Sequence, residues 1–382
     1  MHPDRASLLS SARRVLVKVG SAVLTCPSGL DADRLADLAG QVASLRAGGR
    51  DVVVVSSGAI AAGVRRLGLP GRPTSIPGKQ AAAAVGQGAL QRAWEEALGA
   101  HGIRAAQVLL TADDLANRHR YLNARHTFQT LLEWGVVPVV NENDTVAVEE
   151  IKFGDNDQLA ALVAGLVAAD AVVILSDVDA MYDADPGSSP SARPIRVVRR
   201  IDAALLSVAG ETREGAGGVG TGGMVTKLLA ARKCMTAGIP MVLLSGREPD
   251  AIRRAVAGEP LGTLFAATRA PRHRGRRLWL AHLPRPAGEL VVDQGAAEAL
   301  RNGGRSLLPV GVRAVRGAFG VGAAVRCVDE SGAPVGVGLV NYASAEIERI
   351  RGRRTADIDS LLGYRHSDEV IHRDHFVLEE ST

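Results

Sequence analysis

The chain has 382 residues, too many for one average domain and enough for two that fold on their own cores. Hydrophobic residues make up 46% and the net charge is +4, which excludes a disordered chain and gives no reason, on charge alone, to expect a polyanionic partner. Cys26, Cys234 and Cys327 lie far apart and form no CxxC pair, which argues against a zinc site and a disulfide framework and for a reducing compartment, the cytoplasm.

Residues 1–11 are short and polar and lack the apolar core of a secretory signal. Residues 15–19 read as a buried strand ending at Gly20. Over 30–47 the spacing of Leu35, Leu38, Val42 and Leu45 predicts a helix. A second strand (DVVVVS, 51–56) and a helix over 59–67 follow, then an alanine-rich helix over 81–98. Strands are predicted at 104–110, 136–140, 171–175 and 240–244, and helices at 157–168 and 223–237. The apolar run 160–169 is too short to cross a bilayer, and with no run of eighteen apolar residues anywhere no membrane span is expected. Apolar strands alternating with helices imply an α/β fold: a doubly wound, mainly parallel sheet with helices on both faces. Ligands in such folds bind beyond the carboxyl ends of the strands.

Near residue 266 the pattern changes. Arg269, Arg272, Arg274, Arg276 and Arg277 fall in a stretch without acidic residues, and short glycine-rich strand patterns follow at 289–293, 312–315, 323–329 and 335–340. The division predicted is a first domain over 1–265, a linker over 266–285 and a small, mostly β domain with its tail over 286–382.

Polar clusters follow the strands of the first domain. Lys18 stands inside a valine-rich strand, where burial is costly without an anion, and Gly20 lets a ligand approach the backbone; a strand-end lysine reaching solvent is the plainer alternative. Ser57, in Ser56-Ser57-Gly58-Ala59, opens a helix and suits a carboxylate or phosphate, or is a simple cap. Asn141-Glu142-Asn143-Asp144 is either a site or a polar turn. In Gly154-Asp155-Asn156-Asp157 capping accounts for one residue and leaves the others unexplained. Ser176-Asp177-Val178-Asp179 follows another strand. The turn Gly220-Thr221-Gly222-Gly223-Met224-Val225-Thr226-Lys227 enters a helix with amides suited to phosphate; it is not a Walker A loop.

Together these segments resemble the amino acid kinase superfamily, in the branch whose acceptor is free glutamate. The resemblance is carried by VKVGSAVLT (17–25), VVSSGAIAAG (54–63), LLTADDLANRHRYLNAR (109–125), VVPVVNENDTV (136–146), KFGDNDQLAALVA (152–164) and GTGGMVTKLLAA (220–231). The tail resembles a PUA domain, a small β-barrel-like module, through GELVVDQGA (288–296), SLLPVGV (306–312) and GAFGVG (317–322). Ser176 stands where threonine is common in the family and keeps the hydroxyl.

The resemblance implies ATP with Mg²⁺, L-glutamate as acceptor, proline as an inhibitor, and a homodimer or homotetramer. It implies catalytic roles for Lys18, Lys227 and Asp157, the carboxylate holding the two ammonium groups. It implies glutamate binding by Ser57, Asp144 and Asn156. Nucleotide contacts fall to Lys18, Gly20, Ser176, Asp177, Thr221, Gly222, Gly223, Met224, Val225, Thr226 and Lys227, with no protein ligand for the metal. Two alternatives stand beside it: a related kinase acting on another carboxylate such as acetylglutamate, and an RNA-binding regulatory role through the tail. With aromatic residues at 3%, a base-stacking surface is poorly supplied.

Overall fold

Val15, Leu16, Val17 and Val19 have no exposed surface, and the strand they form is the centre around which the first domain is built. The computed structural model describes residues 5–26, 29–147, 156–187, 189–211, 223–267 and 286–378. The chain divides into two units, Met1–Arg269 and Ala270–Thr382. The arginine stretch 269–277 and most of the expected linker lie outside the described residues.

The first unit begins with α1 (Arg5–Ser10), β1 (Arg14–Val19), α2 (Ser21–Leu24), β2 (Thr25–Cys26), β3 (Gly29–Leu30), α3 (Ala32–Ala47) and β4 (Asp51–Ser56). It continues with α4 (Ala59–Arg66), α5 (Ile76–Gly99), β5 (Ala105–Leu110), α6 (Ala112–Ala116), α7 (Arg118–Glu133) and β6 (Val137–Glu142). Then come α8 (Asn156–Leu166), β7 (Ala171–Ser176), β8 (Val197–Val198), α9 (Ala203–Glu211), α10 (Met224–Thr236), β9 (Met241–Ser245), α11 (Ala251–Ala257) and β10 (Thr263–Phe265).

The eight strands of the main sheet lie in the order β5-β6-β4-β1-β7-β9-β10-β8. Pairing is parallel from β5 through to β9; β10 runs antiparallel to β9, and β8 runs parallel to β10. Side chains alternate across the sheet. Val15, Val17 and Val19 of β1 join one core with Leu35, Leu38 and Val42 of α3 and Trp94 of α5. Leu16 joins the opposite core with Leu159 and Val163 of α8 and Leu228 and Ala231 of α10. Lys18, two residues beyond Leu16, therefore points into the layer of α8 and α10.

Helix α5 starts at Ile76, earlier than the alanine pattern suggests. Ser75 accepts from the Gly78 amide at 3.3 Å, and Pro77 sits in the first turn, where its missing N–H costs nothing. The irregular segment before it is thus confined to residues 67–75. Helix α7 was hidden by its polarity: only Leu122, Phe128 and Leu132 are buried among its apolar residues.

Helices α4 and α5 cross almost backbone to backbone. A Cβ on Gly63 would stand 1.7 Å from the Ala82 carbonyl oxygen, and one on Gly86 would stand 1.9 Å from the Ala59 oxygen. Neither contact involves a side chain that could swing away. Gly86→Ala is therefore expected to cost about 3 kcal/mol, the upper end of overpacking penalties, read as a lowered urea midpoint at unchanged slope.

The second unit holds a five-stranded sheet in the order β12-β11-β13-β14-β15, made of β11 (Gly288–Val292), β12 (Val312–Arg316), β13 (Ala324–Asp329), β14 (Pro334–Leu339) and β15 (Phe376–Leu378). Only the β11–β13 pairing is parallel. Asp293, read from sequence as the end of a strand, instead caps the helix Gln294–Gly303 by accepting from the Ala296 amide at 2.8 Å. Leu290, Val325, Tyr342, Ile347 and Ile371 form the core. Burial pushes the thiols of Cys234 and Cys327 up to about 12, so neither is a nucleophile at neutral pH.

Candidate active site

The chain leaves β1 on one side toward β4 and later fills its other side with β7. That reversal opens a crevice at the carboxyl ends of these strands, the position at which open α/β sheets bind ligands. Gly20, Ser57 and Ser176 lie at those three ends.

Lys18 is 4% exposed, Lys227 5% and Asp157 0%. Lys18 Nζ lies 2.5 Å from Asp157 Oδ1, and Lys227 Nζ lies 3.2 Å from Asp157 Oδ2. The three side chains come from β1, the first turn of α8 and the first turn of α10. Gln158 Nε2 donates to the Thr226 carbonyl at 2.8 Å and holds the two helix starts in register. One carboxylate thus bridges two buried ammonium groups. Buried charges of this kind are tolerated when they are paired and hydrogen-bonded. Lys18 is thus not the solvent-reaching strand end that sequence left open.

Gly20 donates its N–H to the Leu175 oxygen at 3.0 Å, so this amide is occupied within the sheet and not turned to a ligand. What it offers is closeness: a Cβ there would lie 3.2 Å from the Leu175 oxygen and 3.9 Å from Lys18 Nζ. Gly223 precedes α10 with no side-chain cap on the helix, and Met224, Val225 and Thr226 form the turn that carries Lys227. Thr221 and Gly222 lie outside the described residues, as do Gly154 and Asp155. Ser176 is buried at the end of β7, and its hydroxyl donates to Asp177 Oδ1 at 2.9 Å.

A second cluster joins Ser57 and Asn156. Asn156 Nδ2 donates to Ser57 Oγ at 2.8 Å, to Asn141 Oδ1 at 2.9 Å and to the Ser56 carbonyl at 3.3 Å. Ser57 does not cap α4; that position belongs to Gly58, held at φ 115°. Asn141 Nδ2 passes the chain on to Gln87 Oε1 at 2.8 Å, and Trp94 Nε1 donates to Ser56 Oγ at 2.8 Å. Gln87 and Trp94 had no place in the sequence reading. The available signal was a lone amide in AAAAVGQGAL, where every neighbour is apolar or glycine.

Asp144 lies in the turn after β6, half-buried. Burial raises its carboxyl above the usual aspartate range, and the Arg72 guanidinium opposes that shift without cancelling it. Among the described residues no group of three metal-ligating side chains is found. Asp157 is turned onto two ammonium groups. A divalent ion held mainly by a ligand's phosphate oxygens and water fits this donor set better than a protein cage does.

Residues 13–245 match the model of the amino acid kinase family, and residues 288–362 match that of the PUA domain. Glutamate 5-kinase of Meiothermus ruber is 58% identical over 378 residues, which cover 99% of this chain and 99% of that protein. Glutamate 5-kinase of Thermus thermophilus is 56% identical over 97% of this chain and 98% of its own. That of Geobacter sulfurreducens is 50% identical over 98% and 100%.

Proposed function

This chain belongs to the amino acid kinase family, in its glutamate 5-kinase branch, and from that premise we propose that it transfers the terminal phosphoryl group of ATP to the γ-carboxylate of L-glutamate, giving γ-glutamyl phosphate. The Lys18–Asp157–Lys227 cluster at the switch point of the sheet is the observation that carries this reading.

A side-chain carboxylate is ionised at pH 7 and needs no base to act as a nucleophile. The obstacle is the approach of one anion to the end of another. Lys18 and Lys227 screen that repulsion, and Asp157 keeps both ammonium groups aimed before reaction, so little reorganisation accompanies charge development. The start of α10, from Gly223 to Lys227, adds the positive end of a helix to the phosphates. The family resemblance assigns Thr221 and Gly222 to the phosphates as well, while Gly20 gives close approach and Ser176 and Asp177 flank the nucleotide. Mg²⁺, when bound with ATP, neutralises part of the triphosphate charge. Ser57, Asp144 and Asn156 hold glutamate.

A coupled assay of ADP release with Mg-ATP and free glutamate tests the reading. Turnover with glutamate and none with acetylglutamate is expected; the reverse would replace this function with that of a related kinase. The product is an activated acyl phosphate on the route to proline, and proline, a cyclised relative of glutamate, is expected to raise the apparent glutamate KM. The proposed overlap with the glutamate site lies near residues 67–79, of which 76–79 form the first turn of α5. An unchanged KM and unchanged rate with proline would remove the inhibition.

Asp144 gives a pH-dependent test. Its ionised form pairs with the α-ammonium of glutamate, and its pKa is raised. The glutamate KM is therefore expected to climb on acidification at a pH above that of an ordinary aspartate, and Asp144→Asn to abolish that limb while raising KM at every pH. The stability sign runs the other way. The folded state holds this proton more tightly than the unfolded chain, so ionising Asp144 costs stability. That cost is absent below the unfolded carboxylate pKa of about 4 and complete above the raised folded value. Thermal scans of Asp144→Asn should accordingly gain most at neutral pH.

A further inference from the structure

The segment that leaves β7 after Ser176 is fastened again two strands away. Ile174 of β7 pairs with Leu243 of β9, and Leu243 pairs in turn with Thr263 of β10. These three residues form one row across the sheet. The chain from Ser176 to Met181 therefore arches past the end of β9, over two strand spacings or about 10 Å.

The two footings of this arch differ. At the first, Ser176 pairs with Ser245 in the β7–β9 ladder, and its carbonyl accepts from the Gly246 amide at 2.7 Å. At the second, the attachment to the sheet is a side chain. Thr263 Oγ1 accepts from the Met181 amide at 2.8 Å and donates to the Ile195 carbonyl at 2.7 Å. The Ile195 amide donates to the Met181 carbonyl at 2.7 Å, so the hydroxyl closes both arms of the 181–195 hairpin onto β10. Beneath it β10 has no slack, since a Cβ on Gly262 would stand 2.0 Å from the Leu243 oxygen. Thr263 has no exposed surface, so loss of its hydroxyl would leave a buried amide and a buried carbonyl without this partner.

The arch also has a charge. It carries the carboxylates of Asp177 and Asp179, the first accepting from Ser176 Oγ at 2.9 Å and the second from the Tyr182 hydroxyl at 3.0 Å. Carboxylates repel a triphosphate and accept from hydroxyl and amino groups. Lys18 and Lys227 attract what the arch repels. The arch thus suits the nucleoside end of a nucleotide, and the lysines suit its phosphate end.

Resting on the reading above, in which Asp177 flanks ATP, we propose that Thr263 is a positioning residue for the nucleotide: its hydroxyl fixes the arch, and through it the Asp177 carboxylate, against the nucleoside. Thr263 itself touches neither substrate.

The test measures Mg-ADP binding by calorimetry, and the ATP KM, glutamate KM and kcat, in the wild type, Thr263→Val and Thr263→Ser. Valine keeps the shape of threonine without the hydroxyl, and serine keeps the hydroxyl. Thr263→Val is expected to weaken Mg-ADP binding and raise the ATP KM about tenfold, the scale of one buried polar group left unpaired. Its glutamate KM and its kcat at saturating ATP should stay within about threefold, because the lysine cluster and the acceptor side are untouched. Thr263→Ser should bind Mg-ADP within about twofold of the wild type. Should Thr263→Val fail to fold, Thr263→Cys, whose thiol is a weak donor and a weak acceptor, should show the same split at about threefold. Equal losses for ATP and glutamate, an unchanged Mg-ADP affinity, or a serine variant as weak as the valine one would overturn the proposal. Mg-ADP binding needs no acceptor. Turnover of acetylglutamate in place of glutamate would therefore remove the glutamate reading and leave this test standing.

Discussion

Lys227→Ala is expected to lower kcat by about 10²–10³-fold, the range seen when one preorganised charge-stabilising group is removed from a transition state. The glutamate KM should move by no more than about threefold, because an interaction made only as charge shifts between phosphate and acceptor affects turnover rather than acceptor binding. The reason lies in the position of this lysine. It is 5% exposed, on the first turn of α10, with its ammonium held 3.2 Å from Asp157 Oδ2, so its charge is fixed in place before reaction and is lost outright when the side chain is cut back. Steady-state kinetics at saturating ATP provide the check. A variant with unchanged kcat would show that the charge is structural.

Asp157→Asn should be more damaging to the fold than to the shape of the site. The amide matches the carboxylate in size, but two buried ammonium groups lose their common counter-charge. Removing one partner of a buried ionic group typically costs about 3–5 kcal/mol. In a unit of this length that corresponds to a fall in Tm of roughly 10 °C. On the proposed function the triphosphate brings its negative charge to this cluster, so ATP is expected to stabilise Asp157→Asn by more degrees than it stabilises the wild type. Turnover should fall together with Tm, by about 10²-fold, since neither lysine is then aimed. Equal ATP-induced shifts in both proteins would mean that the triphosphate does not take over the role of the carboxylate.

The sheet was legible because its strands are short apolar runs buried on both faces, as in DVVVVS before Ser57 and AVVIL before Ser176. Helices with a dense apolar face, such as α3, were equally legible. Helix α7 was not, because its few buried residues are separated by arginine, histidine and glutamine, and its existence depends on packing against β6. At the site, the strand-end position made Lys18, Ser57 and Asp144 visible one at a time. The meeting of residues 18, 157 and 227 on one carboxylate was legible only through the family resemblance, because strand and helix patterns alone do not show that β1, α8 and α10 share a face of the sheet. Sequence could not supply the hydrogen-bond direction through Gln87, Asn141 and Asn156. Direction there is set by the backbone carbonyl of Ser56, and a backbone group leaves no trace in the order of side chains.

The Lys18–Asp157–Lys227 cluster draws on residue 18 near the start of the chain and on residue 227 near the end of the first unit. A nascent chain that has emerged only as far as β7 already contains the central strand and the shared carboxylate, yet it lacks the second cation. Ribosome-tethered fragments should therefore stay inert until α10 has emerged and docked. Phosphoryl transfer then becomes a late signal that synthesis of this unit is complete.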